Sequence, residues 1–85
     1  MINKNMNNNK EKLNRIFSEV FAVEESALSS DFNKDTVEEW DSVRQLTLST
    51  AVEDEFDILL DAEDILELTS YDNVKRILAK YEIEL

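Results

Sequence analysis

At 85 residues, the chain is long enough for one small domain and too short for a second hydrophobic core. Cysteine and histidine are both absent, which excludes disulfides, ordinary zinc sites, and serine–histidine or cysteine–histidine catalysis. No apolar run is long enough to span a membrane, and the first residues do not have the pattern of a secretory signal. We therefore expect a cytoplasmic protein that does not insert into membranes.

The negative charge is concentrated in the middle of the chain. Twelve acids and a single base, Arg44, lie between Asp35 and Glu67, so this segment accounts for the whole net charge of −11. Such a field repels nucleic acid and anionic lipid, and it accelerates encounters with basic protein surfaces. A solvated acidic face that only aids solubility is the alternative at this point. The segment predicts protein partners with basic surfaces and no nucleic-acid partner.

Glycine and proline are absent as well. Turns are then left to Asn, Asp and Ser, and nothing suits the tight turns of β-hairpins. The composition therefore favours an all-α domain.

The first nine residues are rich in Asn and Lys and have no apolar period. They predict a disordered leader over residues 1–9, ahead of a folded domain over residues 10–85. From Lys10 to Ala22, apolar residues recur at helical spacing and predict the first helix. These residues are Leu13, Ile16, Phe17, Val20 and Phe21.

A long connection without helical period follows, from Val23 to Trp40. A loop of this length in a small domain is usually functional or pinned by its own apolar residues, and we expect Leu28 and Phe32 to pin it.

Within this connection, Asp31–Asp35 begins like a calcium loop of the EF-hand type. Such a loop needs Gly at its sixth position and Glu at its twelfth, where this chain has Thr36 and Ser42. A calcium-binding module therefore stays a minor alternative, and we expect no metal site.

Three further helices are predicted from caps and apolar spacing. Asp41 is a good N-cap for a second helix from Ser42 to Phe56. Asp61 can cap a brief third helix, and Ser70 can cap the last one. The expected fold is a four-helix bundle with three longer helices, one short third helix and a long first loop. The apolar residues are Val43, Leu46, Leu48, Val52 and Phe56 in the second helix, Ile65, Leu66 and Leu68 around the third, and Val74, Ile77, Leu78 and Tyr81 in the last.

Ser42 is the candidate functional residue. A serine without a base is a poor nucleophile, so we expect Ser42 to be modified by another enzyme and not to act as a catalyst itself. A phosphate ester in the first turn of a capped helix would meet free backbone N–H groups and the positive end of the helix dipole. The alternative is that Asp41 and Ser42 are only favourable residues for starting a helix. Because a small helical domain rarely encloses a concave site, we do not expect an enzyme.

Two elements at the ends of the second predicted helix point to a family. Trp40-Asp41-Ser42-Val43 opens the helix, and Glu53–Phe56 closes it with three acids and a phenylalanine. With the apolar spacing over residues 13–81, they resemble the acyl carrier protein family, in particular stand-alone carriers of specialised pathways. The resemblance implies a 4′-phosphopantetheine arm on Ser42, with Asp41 as the adjoining motif acid. A phosphopantetheinyl transferase adds such an arm from coenzyme A, using magnesium.

The resemblance further implies a monomeric carrier that holds acyl intermediates as thioesters for fatty-acid or polyketide-like biosynthesis. Its other partners would be acyl-activating, condensing or acyl-transferring enzymes with basic surfaces. Val43 replaces the usual leucine of the family motif, and Arg44 and Gln45 stand where related carriers are commonly acidic. An acidic helical protein-interaction module without a prosthetic group is the alternative.

The carrier interpretation also assigns surface and core roles to particular residues. The arm would supply the thiol that a cysteine-free chain lacks, and five core residues could form an adaptable pocket that shelters an acyl chain. Predicted partner contacts are Glu38, Glu39, Val43, Leu46, Thr50, Glu53 and Asp54, with Tyr71 and Asp72 as additions. The predicted pocket residues are Leu48, Val52, Phe56, Leu60 and Ile65.

Overall fold

A computed structural model describes residues 8–85 of the chain, and these residues form a bundle of four α-helices. A short 3-10 helix, Glu25–Ala27, lies in the long connection between the first and second α-helices. The predicted all-α fold, with three longer helices and a short third one, is confirmed. The helices are α1 (Asn8–Phe21), α2 (Ser42–Phe56), α3 (Ala62–Leu66) and α4 (Tyr71–Lys80).

Helix α1 begins at Asn8, ahead of the predicted start at Lys10, and it ends at Phe21, one residue before the predicted end. Asn8 and Asn9 therefore belong to the helix and not to a leader, while residues 1–7 of the predicted leader lie outside the described residues. The side chain of Asn9 donates from Nδ2 to the backbone oxygen of Glu84 at 2.9 Å. This contact with the far end of the chain stabilises a helix start that composition alone does not indicate.

The core is built around five aromatic rings from α1, the long connection and α4. Phe17 lies at its centre, with ring centroids of the other four between 5.2 and 5.9 Å away, a range that favours aromatic packing. The indole N–H of Trp40 donates to the backbone oxygen of Leu68 at 3.2 Å, so this buried ring has its polar group satisfied. The five rings are Phe17, Phe21, Phe32, Trp40 and Tyr71.

Two of these rings belong to the long connection and explain how it is held. Phe32 is buried and Leu28 is half-buried against the core, which confirms both as anchors. Trp40, which the sequence singled out as a family marker, is a core residue with 4% of its surface exposed. The connection is therefore packed onto the bundle at its middle and at its end, directly before α2.

Asn33 organises the tip of the connection. Its Oδ1 accepts hydrogen bonds from the backbone N–H groups of Asp35 at 2.8 Å and Thr36 at 3.1 Å, as in an Asx turn. An isolated antiparallel bridge joins Asn33 to Ser70, just before α4. The oxygen that an EF-hand would direct at calcium is thus used within the loop. Within residues 8–85, no three acidic side chains are grouped as a metal site would require.

Three helices end in the same backbone motif although the chain contains no glycine. Beyond α1, α2 and α4, respectively, Ala22, Asp57 and Glu82 adopt left-handed conformations with φ of 57°, 56° and 65°. The prediction that Asn, Asp and Ser make the turns is wrong for two of these three positions. A left-handed residue other than glycine costs about 1–2 kcal/mol. The hydrogen bonds that close the motifs, in the Schellman pattern, run from the N–H of Val23 to Ser18 O (3.2 Å), Ile58 to Glu53 O (3.2 Å) and Ile83 to Leu78 O (3.0 Å).

Candidate functional site

The candidate site lies at the start of α2. Asp41 has an extended backbone, and its Oδ1 accepts a hydrogen bond from the N–H of Arg44 at 2.9 Å, which confirms the predicted N-cap. The first backbone bond of the helix runs from the N–H of Gln45 to Asp41 O at 2.9 Å. The N–H groups of Ser42 and Val43 therefore precede the helical hydrogen-bond ladder. Ser42 itself is exposed, at the first position of the helix.

Arg44 ties the start of α2 to the end of α1. Its Nη1 donates to the backbone oxygen of Val20 at 2.7 Å, and the side chain is half-buried there. Val20 lies in the last turn of α1, where the negative end of the helix dipole favours a cation. The single base of the acidic segment is thus used inside the structure, a role that its sequence position does not reveal.

Gln45 makes the equivalent connection to α3. Its Nε2 donates to the backbone oxygens of Ile65 at 2.8 Å and Leu66 at 3.2 Å, the last two residues of α3. Unsatisfied carbonyls at a helix end need such partners. Two consecutive side chains close to Ser42 therefore set the position of the α2 start relative to both neighbouring helices. Sequence reasoning noted Arg44 and Gln45 only as departures from a family pattern and missed this role.

Exposed apolar side chains surround the start of α2. Val43 and Leu46, both predicted partner contacts, are 69% and 59% exposed. Leu66 is 73% exposed, so the prediction that it packs into the core is wrong. The core face of α2 is set by Leu48 and Val52, which lie one turn apart. At about 100° per residue, Leu46 points about 200° away from Leu48, on the opposite side of the helix. The bond from Gln45 brings Leu66 to the same end of α2.

Four of the predicted partner contacts share one face of α2. Val43, Leu46, Thr50 and Asp54 are exposed and spaced at three or four residues, and Leu46, Thr50 and Asp54 line a shallow depression of about 470 Å³. Glu38 and Glu39 are exposed in the connection directly before this face.

Glu53, another predicted contact, is half-buried at the far end of α2. Its Oε2 accepts a hydrogen bond from the N–H of Leu60 at 2.9 Å. Part of its carboxylate is therefore used to hold the link between α2 and α3.

Tyr71 was predicted to contribute to the partner face, and this prediction is wrong. Its ring belongs to the aromatic core with 5% of its surface exposed, and its hydroxyl donates to Oδ1 of Asn14. Burial raises the pKa of Tyr71 above its ordinary value. Asp72 is exposed and forms an ion pair with Lys75 at 3.5 Å.

The residues predicted to shelter an acyl chain come from α2, the link after it and α3, and all belong to the core or pack against it. Leu48, Val52 and Leu60 are buried, while Phe56 and Ile65 are half-buried and packed against the same core. Their role as a pocket stays a prediction, since the same burial is what an ordinary core requires.

Asp64 in α3 is an acid of the negative segment that does not lie at the surface. It is 3% exposed; its Oδ1 lies 2.6 Å from Lys80 Nζ, and its Oδ2 accepts from the Tyr81 hydroxyl at 2.6 Å. These hydrogen bonds, from Lys80 first and Tyr81 second, lower the pKa of Asp64. The contact therefore contributes stability above the ordinary aspartate pKa of about 3.9 and loses it as the pH falls through the lowered value.

Asp61 occupies the N-cap position of α3 as predicted, but its side chain makes no capping hydrogen bond. Its backbone N–H donates to the hydroxyl of Tyr81 at 3.1 Å. Helix α3 is thus held at its start by Tyr81, directly after α4, and at its end by Gln45 of α2, and not by a side-chain cap of its own.

No protein-family model matches this chain, and no curated protein matches it. Among the described residues, no helix combines the length and the apolar character that crossing a bilayer requires. The interpretation of the site therefore rests on the geometry around Ser42 and on the sequence resemblance.

Proposed function

We propose that this protein is an acyl carrier protein. It holds acyl intermediates as thioesters on a 4′-phosphopantetheine arm attached to Ser42 and presents them to partner enzymes. The observation that carries the proposal is the exposed Ser42 hydroxyl on the first turn of a helix whose start is held by Asp41, Arg44 and Gln45. Held in this way, the backbone of Ser42 has a defined position on the surface of the bundle.

The start of α2 fits an arm that is linked through a phosphate. The N–H groups of Ser42 and Val43 precede the helical ladder, and together with the helix dipole they favour a negative group at this end. The arm supplies a thiol, which the chain itself lacks. Because Asp41 is engaged as the N-cap and the chain has no histidine, the modifying enzyme must supply the base that deprotonates Ser42.

The surface beside Ser42 fits enzymes as partners. Val43, Leu46 and Leu66 offer apolar contacts, and the exposed acids Glu38 and Glu39 lie in the connection that leads into α2. Partner enzymes with basic surfaces would be steered to this end by the field of the acidic segment. In this proposal, the partners are a phosphopantetheinyl transferase and acyl-activating, condensing or acyl-transferring enzymes. The chain itself performs no catalysis and acts as a cytoplasmic monomer.

Mass spectrometry tests the proposal directly. The protein is incubated with coenzyme A, magnesium and a broad-specificity phosphopantetheinyl transferase. We expect the mass gain of one phosphopantetheine in the original chain and in Ser26→Ala, a control at another exposed serine, but not in Ser42→Ala. Circular dichroism checks that both variants remain helical. No mass gain in the original chain, or a gain that survives Ser42→Ala, contradicts the proposal and favours an interaction module without a prosthetic group.

The salt dependence of the same reaction tests the role of charge. Because salt screens the attraction between the acidic segment and a basic enzyme, the second-order rate of modification should fall as the ionic strength rises. A rate that does not change with salt would contradict electrostatic steering, but it would not affect the assignment of Ser42 as the attachment site.

A further inference from the structure

A second exposed surface lies at the opposite end of α2 from Ser42. Leu59 is 82% exposed and lines a surface notch of about 490 Å³. The other residues of this notch, which we call the Leu59 notch, are Glu53, Asp54, Asp57 and Ile58. At about 1.5 Å per residue, the 15 residues of α2 separate the two ends by roughly 20 Å. The Leu59 notch therefore lies at the other end of α2 from Ser42, although Asp54 also lines the depression formed with Leu46 and Thr50.

The exposure of Leu59 is imposed by bonds on both sides of it. The backbone oxygen of Glu53 accepts from the N–H of Ile58 at 3.2 Å, and Oε2 of the same Glu53 accepts from the N–H of Leu60 at 2.9 Å. Leu60 is buried, with 8% of its surface exposed. A single glutamate thus holds the residues before and after Leu59, which presents the leucine outward from a restrained backbone.

The charge around the notch selects the kind of partner. Asp54 and Asp57 are exposed beside Leu59, at the end of α2 where the helix dipole is negative. No lysine or arginine occurs from Gln45 to Val74. This surface repels anionic lipid, and it would also repel a second copy of itself. It attracts a cationic segment that carries an apolar side chain.

We propose that the Leu59 notch is a docking site for a basic amphipathic segment of a partner protein. An apolar side chain of that segment would cover Leu59, and its lysine or arginine side chains would face Asp54 and Asp57. The proposal does not depend on the carrier function, because it needs neither Ser42 nor a prosthetic group. It adds a partner surface that could bind while the Ser42 end remains accessible.

Titration of the unmodified, isotope-labelled protein with a synthetic amphipathic leucine–lysine peptide tests the proposal by NMR. We expect the largest chemical-shift changes at Asp54, Asp57 and Leu59. Leu59→Ser should weaken binding at least about fivefold, because the apolar contact is lost. Ala27→Ser, a control at an exposed apolar residue of the 3-10 helix and outside both proposed surfaces, should leave the affinity within about twofold of the original.

A pair of charge variants separates the notch from the overall negative charge. Asp57→Asn keeps a residue that tolerates the left-handed backbone, and Glu63→Gln removes the same charge from an exposed position in α3. We expect Asp57→Asn to weaken binding more than Glu63→Gln does. Equal effects of the two charge variants, or of Leu59→Ser and Ala27→Ser, would show nonspecific attraction and overturn the proposal. Concentration-dependent dimerisation that Leu59→Ser abolishes would overturn it too, since a second copy would then cover the notch.

Discussion

The two ends of α2 are held in different ways. At the first end, Asp41, Arg44 and Gln45 each place a side chain on a backbone group, in α2 itself, in α1 and in α3. At the far end, Glu53 holds the following link, and Asp57 adopts a left-handed backbone without glycine. The first end is thus positioned against two neighbouring helices, while the far end contains a strained residue. This difference suits the precise placement of Ser42 at one end and the outward display of Leu59 at the other.

Charge separates the two ends as well. The acids Glu53, Asp54 and Glu55 lie in the last turn of α2, where the helix dipole disfavours negative charge by about 0.3–1 kcal/mol for each exposed acid. Lys12 lies 3.9 Å from Glu55, but both side chains are substantially exposed, so the pair contributes little. At the first end the dipole favours the acid, because Asp41 lies at the positive end of the helix. The acids therefore lower the stability of the far end of α2, whereas Asp41 raises the stability of the first end.

Loss of the Arg44 contact should have the largest effect on stability. Arg44→Met leaves the Val20 carbonyl without its charged partner, and a hydrogen bond to a charged group contributes about 1.5–3 kcal/mol. We expect the free energy of unfolding in urea to fall by about this amount. Arg15→Met, at an exposed arginine of α1, is the control and should change it by less than about 0.5 kcal/mol. If both variants lose the same amount, the connection between α1 and α2 does not stabilise the first end of α2.

The N-cap of α2 should contribute next most. Asp41→Ala removes the hydrogen bond to the N–H of Arg44, and such losses typically cost about 1 kcal/mol. Asp61→Ala is a matched control, because Asp61 has the same position before α3 but makes no capping side-chain bond. We expect the control to cost only about a few tenths of a kcal/mol. Urea unfolding of both variants measures the difference, and equal losses would mean that the cap bond is not the source.

Relief of backbone strain at the far end should give the smallest change in the free energy of unfolding. Unlike the two losses above, it should raise the stability. Asp57→Gly should raise the free energy of unfolding by about 0.5 kcal/mol, because glycine adopts the left-handed backbone without steric cost. Asp54→Gly makes the same change of charge inside α2, where glycine destabilises a helix by about 1 kcal/mol. The two melting temperatures should therefore shift in opposite directions. A fall in both would contradict a left-handed residue at the end of α2.

Much of the candidate site could be predicted because it depends on local chemistry. The starts of α2 and α4 follow from the caps at Asp41 and Ser70, whose side chains bond to amides three residues away. The exposed position of Ser42 at the first turn follows from the same cap. The left-handed backbone at Ala22 and Glu82 was not predictable, because neither residue type favours it and only the packing of the following apolar residue explains it.

The sequence by itself determined the helical fold, the start of α2 and the place of Ser42 on it, because caps and apolar periods act within a few residues. The tertiary structure alone decided the partners of Arg44, Gln45 and Asp64. Arg44 bonds to Val20, 24 residues away along the chain. Gln45 bonds to Ile65, 20 residues away, and Asp64 bonds to Lys80, 16 residues away. The tertiary structure also decided that Leu59 and Leu66 remain exposed. An apolar side chain is buried only if another element covers it, and no local pattern specifies which element that will be.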